Sequence, residues 1–212
     1  SQIINGEAPI TPETAIKLER SLGVSAEFWA NLQKNYDITV ARIASEERLV
    51  KEVVEAKRFD CYVELVAMGC IKQASTWKEK TENLLKFFGV DSLIYVPQIE
   101  AVAYRQGRGK FDERSLAVWL RCGELEATKI KTDSFNKARI REIIPEIRKL
   151  TLLPEKFDTR LQDLCSSSGV AVVFTPYFKK TKVNGATRWI GDKAVIQMNN
   201  KGAYNDIFWF TF

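Results

Sequence analysis

Gly169-Val170-Ala171-Val172-Val173-Phe174 is the stretch on which the fold turns. Its β-branched run, bounded by Gly169 and Pro176, predicts a short buried strand. Ala186-Thr187-Arg188-Trp189-Ile190 and Ala194-Val195-Ile196-Gln197-Met198 predict two more strands, joined around Gly191-Asp192. Just upstream, Phe157, Leu161 and Leu164 fall at helical spacing, and Ser166-Ser167-Ser168-Gly169 closes that helix. Downstream, Asn199-Asn200-Lys201-Gly202 ends the strands, and Asp206 is placed to cap a last helix running from Ile207 to Phe212. Phe208, Trp209, Phe210 and Phe212 make that final run suited to a core rather than to a fraying end. The expected class is α+β, mostly helical, with a small three-stranded sheet laid on the helices.

The rest of the chain reads as helix. Ser1 to Gly6 has the form of a helix end, since Asn5-Gly6 supplies the left-handed residue that closes one. Thr11 caps a short helix with Pro12 at its first position, and Ala15, Leu18 and Leu22 share one face before Gly23 stops it. Ser25 caps the next, whose face of Phe28, Trp29, Leu32 and Tyr36 is large and apolar up to Asp37. Ile43, Val50 and Val54 continue the helical spacing towards Met68, and Lys57-Arg58 is in reach of nucleic acid or, as mixed charge more often is, a solvated face. After Gly69, Ser75 caps a helix with Trp77, Leu84, Leu85, Phe87 and Phe88 on its buried side. Leu116, Trp119, Leu120 and Leu125, then Ile140, Ile143, Ile144 and Ile147, repeat the pattern. Tyr104-Arg105-Gln106-Gly107-Arg108-Gly109-Lys110 lacks the Gly-Lys-Ser/Thr ending of a phosphate loop and reads as a surface loop, while Lys179-Lys180-Thr181-Lys182 reads as a solvated turn.

Composition narrows the chemistry. The 212 residues carry 32 basic and 27 acidic side chains, and the formal charge of +5 favours an anionic partner only mildly. No apolar run approaches the roughly 18 residues that span a bilayer, and Ser1-Gln2-Ile3-Ile4-Asn5 has no secretion-signal plan, so no membrane role and a cytoplasmic location are expected. Cys61, Cys70, Cys122 and Cys165 are widely spaced without a C-x-x-C pair, which favours reduced, mostly buried thiols. Histidine is absent, and with it the commonest general base at neutral pH and the commonest metal ligand. A complete catalytic site within these residues is not expected, and no catalytic or metal-ligating residue is assigned.

Two family resemblances rest on particular wording. Ile4-Asn5-Gly6-Glu7 with Pro9-Ile10-Thr11-Pro12-Glu13-Thr14-Ala15, Leu22-Gly23-Val24-Ser25 and Phe28-Trp29-Ala30-Asn31-Leu32-Gln33 resembles a HigA-type antitoxin of the XRE helix-turn-helix class. Gly169 to Phe174, Gly185-Ala186-Thr187-Arg188-Trp189 and Phe208-Trp209-Phe210-Thr211-Phe212 resemble the ImmA/IrrE zinc metallopeptidases. The chain is similar to a piece of such a fusion truncated at both ends.

The resemblance implies three regions. These are a partial helix-turn-helix over 1–37, a helical connector over 38–153, and the N-terminal part of a peptidase domain over 154–212. It places Ser1, Gln2, Asn5 and Gly6 at a recognition helix facing operator DNA. It makes Gly185, Ala186, Thr187, Arg188 and Trp189 a substrate strand beside the active-site helix, where an edge strand holds an extended peptide through backbone hydrogen bonds and Arg188 and Trp189 line the cleft. The alternative for these two is that Trp189 fills core and Arg188 pairs at a surface. In that family the last helix enters an H-E-x-x-H motif, expected to begin at Phe212, so zinc belongs to a full-length protein and not to this chain. The implied function is a DNA-binding regulator whose peptidase domain cleaves a repressor or antitoxin protein, acting as a homodimer and with a toxin as a further partner. The alternative is a non-catalytic antitoxin-type transcription factor whose C-terminal domain senses or binds a partner.

Overall fold

The computed structural model describes residues 3, 6, 8–98, 103–106, 112–152, 157–178, 181, 183–199 and 205–212. The chain divides into two compact units, 1–53 and 54–212.

The first unit holds α1 (Pro12–Leu22) and most of α2 (Ala26–Ala56). Thr11 caps α1 by accepting from the Thr14 amide, and Gly23, at φ 73°, ends it. Gln33 on α2 accepts from the Ile10 amide at 2.9 Å and ties the chain entering α1 to α2. The helix whose apolar face was read up to Asp37 instead runs on without a break to Ala56. The apolar faces read from the sequence are only partly covered. Ala15 is buried, but Leu22, Phe28, Leu32, Tyr36, Ile43 and Val50 are exposed. A pair of helices buries its mutual seam, and a stripe wider than that seam stays in solvent.

The second unit opens with α3 (Tyr62–Ala67) and α4 (Trp77–Phe88), followed by a 3₁₀ turn over Leu93–Gln98. Thr76, not Ser75, caps α4: its hydroxyl accepts from the Glu79 amide, and Glu79 accepts in return from the Thr76 and Ser75 amides. Those backbone donors, Thr76 first, hold the Glu79 carboxyl below its usual range, so the box contributes above the ordinary carboxylate pKa and is lost as pH falls through the depressed one. Thr76→Ala is expected to destabilise this unit by about 1 kcal/mol, read as a lower urea midpoint at unchanged slope. Leu84, Phe87 and Phe88 are buried as expected, whereas Trp77 is exposed and carries the ammonium groups of Lys57 and Lys80 over its ring.

The sheet joins β1 (Ala103–Gln106), β2 (Val170–Thr175), β3 (Val183–Ile190) and β4 (Lys193–Asn199) in the order β1-β3-β4-β2. The strands expected from the sequence are β2, β3 and β4, with β3 and β4 an antiparallel hairpin and β2 parallel to β4. Short β1 comes from the stretch read as a basic loop and pairs antiparallel to β3. Helices α5 (Glu113–Lys129), α6 (Lys137–Leu150), α7 (Phe157–Ser166) and α8 (Asn205–Thr211) complete the unit.

Strand alternation sorts the core into two sides. Ala171, Val173 and Val195 meet Ala127 and Ile130 of the α5 end. Val170, Val172 and Ala194 meet Leu150, Leu161 and Cys165, with Phe157, Phe174, Phe208, Trp209 and Phe212 packed around them. Sheet coverage on both faces explains why β2 reads as an unbroken apolar run. Since α5 is part of this layering, the sheet's core reaches back well before residue 154. Among the described residues no helix is long and apolar enough to cross a membrane.

Candidate functional site

The candidate site is β3 and the helix beneath it. Gly185 makes their approach possible: a Cβ there would stand 2.9 Å from the Thr211 methyl of α8 and 3.1 Å from the Met198 sulfur. The aromatic side chains of α8 fix it from the other side. Phe157 lies 5.0 Å from Phe208 and 5.1 Å from Trp209 between ring centroids, and Phe174 is 5.9 Å from Phe208. Offset and edge contacts of this kind add to the area the rings bury, so the terminal run expected to pack does so, with Phe210 alone of its described aromatics exposed.

Two expectations for β3 need correction. Over Gly185–Thr187 it is not an edge strand, because Arg105, Tyr104 and Ala103 of β1 face Gly185, Ala186 and Thr187 across an antiparallel ladder while β4 occupies the other side. An added peptide finds no free backbone there. Nor do Arg188 and Trp189 line one cleft, since neighbouring residues of a strand point to opposite faces. Arg188 turns to α5 and donates from Nη2 to the Leu120 carbonyl. Burial lowers its guanidinium pKa, while Glu124 pulls it back and Arg121 adds to the lowering. Trp189 points the other way and is 57% exposed, so it does not fill core. It meets exposed Phe135 edge to face with ring centroids 4.9 Å apart. Thr187 is exposed and Ala186 is buried under α5.

Of the residues expected to face DNA, Ser1, Gln2 and Asn5 lie outside the described residues. Gly6 has φ 73° and donates from its amide to the Ile3 carbonyl at 3.1 Å, closing a turn. The Lys179–Lys182 loop lies outside them too, apart from buried Thr181.

Gln197 is a site residue that the sequence reading passed over. Fully buried on β4, it donates from Nε2 to the Trp119 carbonyl at 2.6 Å and to the Thr175 hydroxyl at 3.1 Å, tying sheet to α5. A polar residue in an otherwise apolar strand, with Gly123 alone inside a helical pattern, was the signal for it. Lys193 is a second such tie, donating to the Ala127 and Ile130 carbonyls where α5 ends.

The three buried thiols do not supply a nucleophile. Burial pushes the Cys61 thiol up to about 12 and the Cys165 thiol up to about 11. It raises Cys122 as well, with Cys70 adding to the effect. All three are protonated at neutral pH, and the thiolate is the reactive and metal-binding form.

Compared with family models, with characterised proteins and with solved structures, the chain matches none of them.

Proposed function

We propose that this chain is a DNA-binding transcriptional regulator of the XRE/HigA-like kind whose second unit is an ImmA/IrrE-like peptidase scaffold, natural to the regulated cleavage of a repressor or antitoxin protein. The observation that supports the reading best is the succession α7, β2, β3, β4, α8, with α8 seated under β3 where Gly185 leaves no room for a side chain. In that architecture the helix beside the sheet presents the catalytic groups. The residues present do not fit a zinc site: there is no histidine to form the paired imidazole ligands, and the buried thiols are held protonated. No hydrolytic step is assigned to this chain, and its role in the scaffold is to place α8 against the sheet.

The 212-residue polypeptide is expected to leave casein and mixed peptide substrates uncleaved with zinc supplied, and measured turnover that co-purifies with it would contradict the reading. For the DNA-binding half, the full-length product is expected to shift the fragment upstream of its own coding sequence. Its affinity should fall about a thousandfold between 50 and 200 mM salt, as for a protein neutralising several phosphates. Salt-independent binding, or none, would remove that half of the proposal.

A second reading, a non-catalytic antitoxin-type factor whose C-terminal unit binds a partner, is favoured by the exposed Trp189–Phe135 pair. A full-length product that binds the upstream DNA and no zinc would select it.

A further inference from the structure

We propose that the outer face of α6 binds the phosphate backbone of duplex DNA without regard to base sequence, through a row formed by Lys137, Arg141 and Arg148. The helix turns Ile140, Ile147 and Leu150 inward, onto the cluster that lies against the sheet. The three cations are exposed. With about 3.6 residues per turn, their spacing along the chain keeps them within about 40° of one another around the axis, and a rise of about 1.5 Å per residue makes the row about 16 Å long.

No carboxylate on the helix is placed to neutralise them. The residues three and four positions from Arg141 and Arg148 are Lys137, Ala138, Ile144, Pro145, Thr151 and Leu152. Glu142 and Glu146 lie around the other flank with Arg139, which is paired with Asp133 at 3.5 Å. Among the described residues Lys137, Arg141 and Arg148 take part in no ion pair. The first turn of α6 also holds no acidic residue, so the positive end of the helix dipole adds to the same field.

Like charges one turn apart cost a helix stability, and an extended polyanion relieves that cost. A single phosphate ester reaches only one or two of the three cations, whereas each strand of a duplex presents a charge about every 3.4 Å of axis. A membrane surface asks for a broad apolar face beside the cations, but the apolar side of α6 is turned to the core, leaving Ile144 at 40% exposure and Leu152 past the helix end. No member of the row or residue between its turns is aromatic, so bases have no ring to stack on, which favours a duplex over a single strand. The row lies in the second unit and owes nothing to the helix-turn-helix resemblance of the first.

The test uses the 212-residue chain and a fluorescently labelled duplex of random sequence, titrated across 50–200 mM salt. Binding is expected to weaken with salt. Each of Lys137→Gln, Arg141→Gln and Arg148→Gln should make the slope of log affinity against log salt concentration shallower by about 1, while Arg139→Gln on the other flank should leave it unchanged. Glutamine is a good helix former and all four positions are exposed, so the variants keep the fold. Absence of duplex binding, slopes unchanged in the three variants, an equal loss from Arg139→Gln, or binding to phosphatidylglycerol vesicles in place of the duplex would overturn the proposal. The random sequence keeps this result separate from operator recognition, because a chain that fails to shift its own upstream fragment still shows these slopes if the row binds phosphate.

Discussion

Gly169→Ala is expected to lower the stability of the second unit by about 4 kcal/mol, read as a drop in urea midpoint at unchanged slope. Two effects add. The residue sits at φ 81°, a left-handed conformation that costs an ordinary L-residue about 1–2 kcal/mol. A Cβ would also stand 2.3 Å from Cα and 2.4 Å from the backbone nitrogen of Phe135, far inside contact distance. That backbone cannot retreat freely, because the Asp133 amide donates to the Ser166 carbonyl and the Asn136 amide to the Ser168 carbonyl, each at 3.0 Å. Asn136 is in turn the cap of α6, accepting from the Ala138 and Arg139 amides. Relieving the clash therefore sacrifices backbone hydrogen bonds worth about 1 kcal/mol each. A loss below about 1 kcal/mol would show that this crossing from α7 into β2 is looser than described.

Gly123→Ala presents a contest between opposite effects. Alanine in a helix interior gains about 1 kcal/mol over glycine. The new Cβ would, however, meet the Gln197 amide at 2.0 Å from Cδ and 2.1 Å from Oε1. A glutamine end group is flexible, but this one is fully buried and bonded to Trp119 and Thr175. Swinging it aside leaves polar atoms unpaired in a dry core, at about 1–3 kcal/mol for each group. The net expectation is a loss of about 3 kcal/mol. Pairing the change with Gln197→Ala should cost less than the two single changes summed, and strict additivity would deny the contact.

The features legible in the sequence were those with a local cause. Glycines at 23 and 89 ended helices where expected, because a left-handed residue past the last turn is a local requirement. Strands β2, β3 and β4 were readable from their β-branched runs and the Gly191-Asp192 turn. What escaped depends on distant neighbours. The run Tyr104-Arg105-Gln106 looks like a polar loop until β3 offers it an antiparallel partner. The cysteines show no motif because the fold, not sequence spacing, places Cys61 and Cys122 in one buried cluster. The expectation that Arg188 and Trp189 act together failed on strand alternation, which was available in the sequence once both were placed on one strand. The unburied stripe of α2 is the reverse case, a pattern that predicts an apolar face but not what covers it.

If α8 is the helix of a peptidase scaffold, as proposed, the coding sequence beyond the Phe212 codon and the zinc content of the protein it encodes will show it. An H-E-x-x-H motif beginning directly after Phe212 and about one zinc ion per chain by elemental analysis are the expected results. A stop codon immediately after Phe212, or a full-length product that carries no zinc, would contradict the proposal.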